Sequence, residues 1–427
     1  MAFEKTMAGP SPHSLGERDA QMDWQQTGTV SGPIRILHII NDLSVGGTEI
    51  MLYKLLSRTD RLGFEPSVIS LNGDGPIAEK IRGLGISVES LQVKRTATAM
   101  FPLLRLARVT RRISPQIIQG WMYHGNLAAQ FAGSFARKGA AVLWNIRQSL
   151  PSLSEEKPTT ARAIRLSARL ANLPELVLNN SQRSVAQHAA IGFPANKTMV
   201  IPNGFDTDVF TPSDDAYTSV RAELGVPANT ILIGRIGRYH HTKDYPMFLR
   251  AAALLLRDFP AAQFVVAGKD VDWNNDDLRR QVQELGLVER IHLLGERPDI
   301  PRLTPAFDVA VSSSHAEGFP NVVGEAMACA VPCVVTDVGD SRALVGDTGK
   351  IVPARAYEAL ATRCIELLRL SSEERRVLGL AARDRIMERY SISSVARSYE
   401  SLYQQIVGAR REATDRLKQK CVERTTA

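Results

Sequence analysis

The feature that most constrains this chain is a rhythm that runs, stops once and starts again. From Ile34 onward, short apolar runs of strand length alternate with longer amphipathic stretches. RILHII (35–40), PSVISL, SVESL, QIIQGW, AVLWNI and LVLNN read as strands before the pause. ILIGRI (231–236), QFVVAG (263–268), RIHLLG (290–295), DVAVSS (308–313) and CVVTDV (333–338) read as strands after it. TEIMLYKLLSR (48–58) has helical spacing, with Met51, Leu52, Leu55 and Leu56 on one face, and helices fit at 244–257, 275–286, 321–330 and 354–370. Strand–helix alternation of this kind predicts parallel, doubly wound sheets. The expected class is α/β, with two Rossmann-like domains over 34–205 and 206–391. The joint falls at IPNGFDTDVFTP (201–212), where Asn-Gly and flanking prolines break the pattern. A last helical stretch, 392–420, has no strand after it and is free to pack anywhere, including back on the first domain.

A chain of 427 residues is long enough for two such cores. Residues 1–33 are polar and rich in Gly, Pro and Ser, lack the apolar centre of a signal peptide, and are expected to be a disordered leader. No run approaches the ~18 apolar residues of a membrane span. The four cysteines form no CxxC pair, so free thiols in a reducing compartment are expected, and with them a cytoplasmic protein. Net charge is +7 and unevenly placed: residues 1–205 hold 23 Lys/Arg against 14 Asp/Glu, a balance of +9. A positive first half suits an anionic partner.

In a doubly wound sheet ligands collect at the carboxyl ends of the strands, and three such ends carry unusual residues. In NDLSVGGTE (41–49), Gly46 and Gly47 let backbone N–H groups approach an anion or polar sugar at a helix start; a tight turn without a ligand is the alternative. In GRIGRYHHTKDY (234–245), Arg238 and Lys243 share one short loop, which suits a diphosphate or, equally, a solvated loop. In HAEGFPNVVGEAMA (315–328), Glu317 and Glu325 stand eight positions apart around a Gly-Phe-Pro break. Pro320 is tolerated in a first helical turn. Glu317 is therefore expected on a loop, and Glu325 one to two turns inside a helix whose unpaired N–H groups lie near Asn321 and Val322. Ordinary surface charge is the alternative, although VVGEAMACAVP is apolar around Glu325.

Together these elements resemble retaining glycosyltransferases of family 4, with the GT-B fold, over residues 34–405. The carriers are the E-x7-E pattern from Glu317 to Glu325, GGTE, VIPNGFDTDVF and GRIGRYHHTKDY, in that family's order and spacing. The resemblance implies a nucleotide-sugar donor held mainly by the second domain, UDP ahead of GDP. Arg238 and Lys243 would neutralise its diphosphate, and Glu325 would accept from the ribose hydroxyls. Glu317 would face the transferred sugar, with backbone groups of Gly318, Phe319, Pro320 and Asn321 on its hydroxyls. Val322 would add an N–H to the diphosphate, and Gly46 and Gly47 would close the cleft. His124, in GWMYHGN, matches the family histidine near the sugar; on its own it reads equally as a core or loop histidine. Because two cations and helix-end donors can stabilise the departing diphosphate, no metal is required; DVD (270–272) precedes a helix, away from the cleft loops. The acceptor would be a saccharide or lipid-linked saccharide. Many relatives carry a Glu after the Gly339 turn, where this chain reads GDSRALV, which leaves the donor contacts of that loop open.

The basic excess has candidate homes. TAMFPLLRLARVTRRISP (97–114) places Arg105, Arg108, Arg111 and Arg112 at helical spacing, and TARAIRLSARLANL (160–173) repeats the arrangement with Arg162, Arg165 and Arg169. Two solvated helix faces are one reading; docking on the anionic inner face of a membrane is the other. A hydrolase with paired carboxylates has no need for the cations at 238–243. A nucleic-acid binder would need aromatic platforms or a known module, and neither is found. A non-enzymatic basic binding protein, or a silent partner subunit on a GT-B scaffold, remains the alternative.

Overall fold

The structure, a computed structural model, describes residues 32–93, 100–137, 139–150 and 152–425. The leader expected over 1–33 lies almost wholly outside them. Among the described residues the strands form two parallel sheets. The first contains β1 (Ile34–Ile40), β2 (Phe64–Ser70), β3 (Ser87–Ser90), β4 (Ile117–Trp121), β5 (Ala141–Ile146), β6 (Leu176–Asn179) and β7 (Thr198–Val200), in the spatial order β3-β2-β1-β4-β5-β6-β7. The second contains β8 (Leu232–Ile236), β9 (Gln263–Ala267), β10 (Ile291–Leu293), β11 (Val309–Ser312), β12 (Cys333–Thr336) and β13 (Lys350–Val352), in the order β10-β9-β8-β11-β12-β13. Both are the 3-2-1-4-5-6 order of a dinucleotide-type fold, the first with one strand added.

Each sheet is buried on both faces, which is why its strands read as continuous apolar runs. Along β1, Ile34 and Ile36 pack with the helices Gly47–Arg58, Pro76–Gly83 and Ile392–Thr425. Leu37 and Ile39 pack on the other side with the helices Met100–Ile113, Met122–Gly133 and Pro158–Leu170. The second sheet is sandwiched between Tyr245–Leu255, Asp276–Glu284 and Tyr357–Arg369 on one face and Asp214–Leu224, Asn321–Ala328 and Ser341–Val345 on the other.

The last helix belongs to the first domain. Ile392, Val395, Ala396, Tyr399, Leu402, Tyr403, Ile406 and Val407 complete its core. Tyr399 stacks on Trp121, and the Tyr403 hydroxyl donates to Gln119 at 2.6 Å. The chain thus crosses between domains twice, and the crossings are bonded to each other. Phe205 N–H donates to Tyr390 at 2.8 Å, and Ile392 N–H donates to Phe205 at 2.7 Å. Beside them Gly204 has no room for a side chain, since a Cβ would stand 2.6 Å from Ile392.

Candidate active site

Lys243 and Glu317 come from different loops, after β8 and after β11, and they meet: Nζ of Lys243 donates to Oε1 of Glu317, and Ser314 Oγ donates to the same oxygen at 2.8 Å. Both side chains are shielded, 21% and 13% exposed. The backbone beneath Lys243 is held by a residue the sequence reading passed over. Arg235, buried in β8, donates to the Lys243 carbonyl and, through Nε, to Ser313 Oγ at 3.2 Å. Its guanidinium lies 3.6 Å from the centre of the Tyr245 ring. Ser313 Oγ is in turn 3.0 Å from the carbonyls of Lys243 and Asp244. Burial pulls the Arg235 pKa down, with Tyr245 and Glu317 acting against that pull. The available signal was an arginine inside an otherwise apolar strand, ILIGRI. Arg238 sits on the same loop as Lys243, exposed to solvent.

The Gly-Phe-Pro break does what its composition demands. Pro320 precedes the helix Asn321–Ala328, with its carbonyl accepting from Val323 N–H at 3.1 Å. The N–H groups of Asn321 and Val322 have no intrahelical acceptor, as at any helix start. Glu325 follows one turn in. It is half-buried, and burial pushes its carboxyl up to about 7, partly offset by Lys54 on the first domain's helix Gly47–Arg58.

Two of the backbone groups expected beside the sugar already have partners within the protein. Pro320 has no N–H, and its carbonyl is committed to the first helical turn. The Gly318 carbonyl accepts from Asp340 N–H at 3.1 Å. Phe319 is anchored by its ring, which stacks on Phe205 at 6.0 Å. Asn321 is tied to the joint between domains: its Oδ1 accepts from Asn203 Nδ2 at 2.8 Å, and the Asn203 side-chain Oδ1 accepts from Arg147. Arg147, buried after β5, also donates to Ile201 O at 2.8 Å and to the Tyr399 hydroxyl at 3.1 Å. A chain of polar contacts thus runs from the first sheet through the linker to the start of the Asn321–Ala328 helix. None of it was visible in local sequence.

The remaining predicted residues lie on the first domain. Gly46 caps the helix Gly47–Arg58. A Cβ on Gly47 would meet no protein atom within 4 Å, so local packing does not require the glycine there. His124 is half-buried on the first turn of Met122–Gly133, two residues after Met122, whose φ of 61° is a strained value for a non-glycine residue. In the GDSRALV segment, Arg342 pairs with Asp337 at 2.6 Å and Ser341 Oγ donates to Val338 O at 2.7 Å.

Residues 45–209 match the family described as Glycosyltransferase Family 4, and residues 230–370 match the one described as Glycosyl transferases group 1. The chain thus carries a Glycosyltransferase Family 4 segment followed by a Glycosyl transferases group 1 segment. Among curated family members it is similar to a D-inositol 3-phosphate glycosyltransferase of Corynebacterium aurimucosum, 30% identical over 62% of this chain and 63% of that relative. It also resembles the UDP-Gal:alpha-D-GlcNAc-diphosphoundecaprenol alpha-1,3-galactosyltransferase of Escherichia coli, 32% identical over 35% of this chain and 39% of that one. The chain therefore spans less than two thirds of the length of either. The GT-B fold of the family is borne out by the crystal structure of Anabaena Alr3699/HepE in complex with UDP and glucose. It superposes with a TM-score of 0.73 at 23% identity, over 87% of this chain and all of that one.

Proposed function

We propose that this family 4 chain is a retaining glycosyltransferase that moves a sugar from a nucleoside diphosphate, UDP ahead of GDP, to a saccharide or lipid-linked saccharide. The observation that carries the reading is the meeting of Lys243 and Glu317 beside the start of the helix Asn321–Ala328, at the carboxyl ends of β8 and β11. As the bond between the anomeric carbon and the phosphate oxygen breaks, negative charge grows on the diphosphate and positive character on the sugar. Lys243, Arg238 and the N–H groups of Asn321 and Val322 supply fixed positive potential to the first, and Glu317 supplies negative potential to the second. The departing phosphate oxygen takes the proton of the acceptor hydroxyl, whose oxygen bonds to the same face of the anomeric carbon. Glu317 acts in this scheme as an electrostatic and positioning group, Glu325 holds the ribose, and His124, Gly46 and Gly47 close the site from the first domain. No metal ion is assigned a role. A curated relative and a similar solved structure support the donor class, since the first carries UDP-Gal in its name and the second holds UDP.

The acceptor reaches the first domain from a membrane surface in this reading. The helices Met100–Ile113 and Pro158–Leu170 flank Met122–Gly133 on one face of the first sheet. They expose Phe101, Leu103, Leu104 and Leu166 beside Arg108, Arg162, Arg165 and Arg169, none of which has an ion-pair partner among the described residues. Of the other arginines at helical spacing, Arg105 and Arg112 are engaged by Glu89, and Arg111 lies over the Phe135 ring. No helix among the described residues is long and apolar enough to cross a membrane, so contact would be peripheral, on the cytoplasmic face.

The test is direct. Incubation of the chain with UDP- and GDP-sugars and a saccharide or lipid-diphosphate-saccharide acceptor should release the nucleoside diphosphate and give an α-linked product from an α-linked donor. Inversion, or release of free sugar only, would overturn the assignment.

A further inference from the structure

Asp340 lies in the second domain, in the turn between β12 and the helix Ser341–Val345, yet its carboxylate bonds to the first. Oδ2 accepts the backbone N–H of Gln182 at 2.9 Å, and Oδ1 accepts that of Arg183 at 3.2 Å. These are the first two residues of the helix Gln182–Ala189, whose own cap, Ser181 Oγ, is already used by Ser184 N–H at 3.0 Å. The opening N–H groups of a helix lack partners within it and sit at the positive end of its dipole. Here an aspartate from another domain supplies what the local sequence does not.

The same residue holds the loop that carries Glu317. Asp340 N–H donates to the Gly318 carbonyl at 3.1 Å. Gly339, with φ of 56°, is so close to that loop that a Cβ would stand 2.5 Å from Gly318 O and 2.6 Å from Glu317 O. Gly318 in turn abuts the first domain, where its own Cβ would lie 3.1 Å from the Ser149 N. One turn therefore bonds with its side chain to the facing domain and with its backbone to the Glu317 loop.

We infer that Asp340 is a positioning residue that latches the two domains together and seats the Glu317–Pro320 loop against Ser149 as they close. Its consequence for transfer rests on the function proposed above; the latch itself is a matter of domain geometry. The diphosphate contacts belong to the second domain alone and do not need the latch. Shielding the reacting bond from water and aligning the acceptor do need both domains. Loss of the latch should spare donor binding and impair turnover, because opening exposes the bare helix start without removing Lys243 or the N–H groups of Asn321 and Val322.

The experiment compares the full-length wild type with Asp340→Ala and Asp340→Asn by small-angle scattering, UDP calorimetry, melting temperature and steady-state kinetics. Asp340→Ala should enlarge the radius of gyration and keep the UDP dissociation constant within about twofold. It should also lower kcat by roughly tenfold to a hundredfold, the scale of a misaligned reacting group. Asp340→Asn, which keeps one acceptor oxygen and the side-chain shape, should fall between, and it carries the test if the alanine variant does not fold. Unchanged scattering and kcat would overturn the inference, as would parallel losses of melting temperature and UDP affinity, which mark a merely structural residue. Should the wild type transfer no sugar at all, the proposed function fails while the scattering comparison still decides the latch.

Discussion

Lys243 and Glu317 are bonded to each other, although the chemistry assigned to them requires each to face the donor. A diphosphate entering the site has to win the ammonium from the carboxylate. In the proposed function Glu317 is thus a competitor of the donor as well as a participant in transfer. Glu317→Gln should bind UDP several-fold more tightly than the wild type, since a neutral amide holds the ammonium less strongly than a carboxylate does. It should nonetheless lose roughly a hundredfold in turnover, as for removal of one preorganised electrostatic group. Calorimetry and initial rates check the two halves separately; weaker UDP binding by this variant would refute the competition.

Lys243→Ala should behave in the opposite way on binding. UDP affinity should drop by about tenfold or more, with transfer falling at least a hundredfold, because a charge-assisted contact to the diphosphate is lost in both ground and transition states. Near-normal turnover in this variant would count against the donor site.

Arg235 is a buried cation whose main partners are neutral oxygens and an aromatic face. Relieving a buried charge offsets lost contacts, so Arg235→Met should change stability by less than about 2 kcal/mol. The loop end that carries Lys243 loses its support, and UDP affinity should fall about tenfold, the cost of one such charged hydrogen bond. Denaturant melts and calorimetry distinguish this outcome from simple unfolding.

Glu325 gives a pH signature. Its folded carboxyl, at about 7, lies above the ordinary 4.5. The unfolded chain therefore ionises first, and the burial cost is absent below pH 4.5, grows between pH 4.5 and 7, and is complete above 7. Glu325→Gln removes the cost. At pH 8 the variant should be more stable than wild type by about 1–2 kcal/mol, less than the full shift would imply because the site is partly solvated. At pH 4.5 the two should melt together. A difference independent of pH would rule out Glu325 as the cause.

Charge reversal of the exposed helix face should separate surface binding from chemistry. Arg162→Glu, Arg165→Glu and Arg169→Glu combined should abolish flotation with anionic vesicles at low salt, each lysine or arginine being worth about 1 kcal/mol near such a surface. Transfer to a short, water-soluble acceptor should persist. Equal flotation of variant and wild type would remove the membrane from the picture.

The rhythm of the sequence carried most of the architecture because a strand covered on both faces leaves a solid apolar run. AVLWNI is β5 residue for residue. The strands that escaped notice, β7 and β13, are three residues long and only partly buried, too short to leave a periodic trace. The site divided along the same line. The Gly-Phe-Pro break announced a loop followed by a helix, and the helix indeed begins at Asn321. What the sequence could not announce were contacts between residues far apart along it, such as Asn203 with Asn321 or Gln182 with Asp340, since nothing local to either partner requires the other. Pro320 can offer a ligand only its carbonyl, which already accepts from Val323 N–H.

The twin crossing at Phe205 and Ile392 makes the second domain a guest inserted into its host. Severing the chain just before Ile392 would not trim a tail; it would strip the host of one wall, leaving the surface that Tyr399, Leu402 and Tyr403 now cover open to water. The opposite surgery is gentler. Joining residue 204 directly to 392 would keep the host's own segments together, whereas neither half obtained by a single cut retains everything it needs.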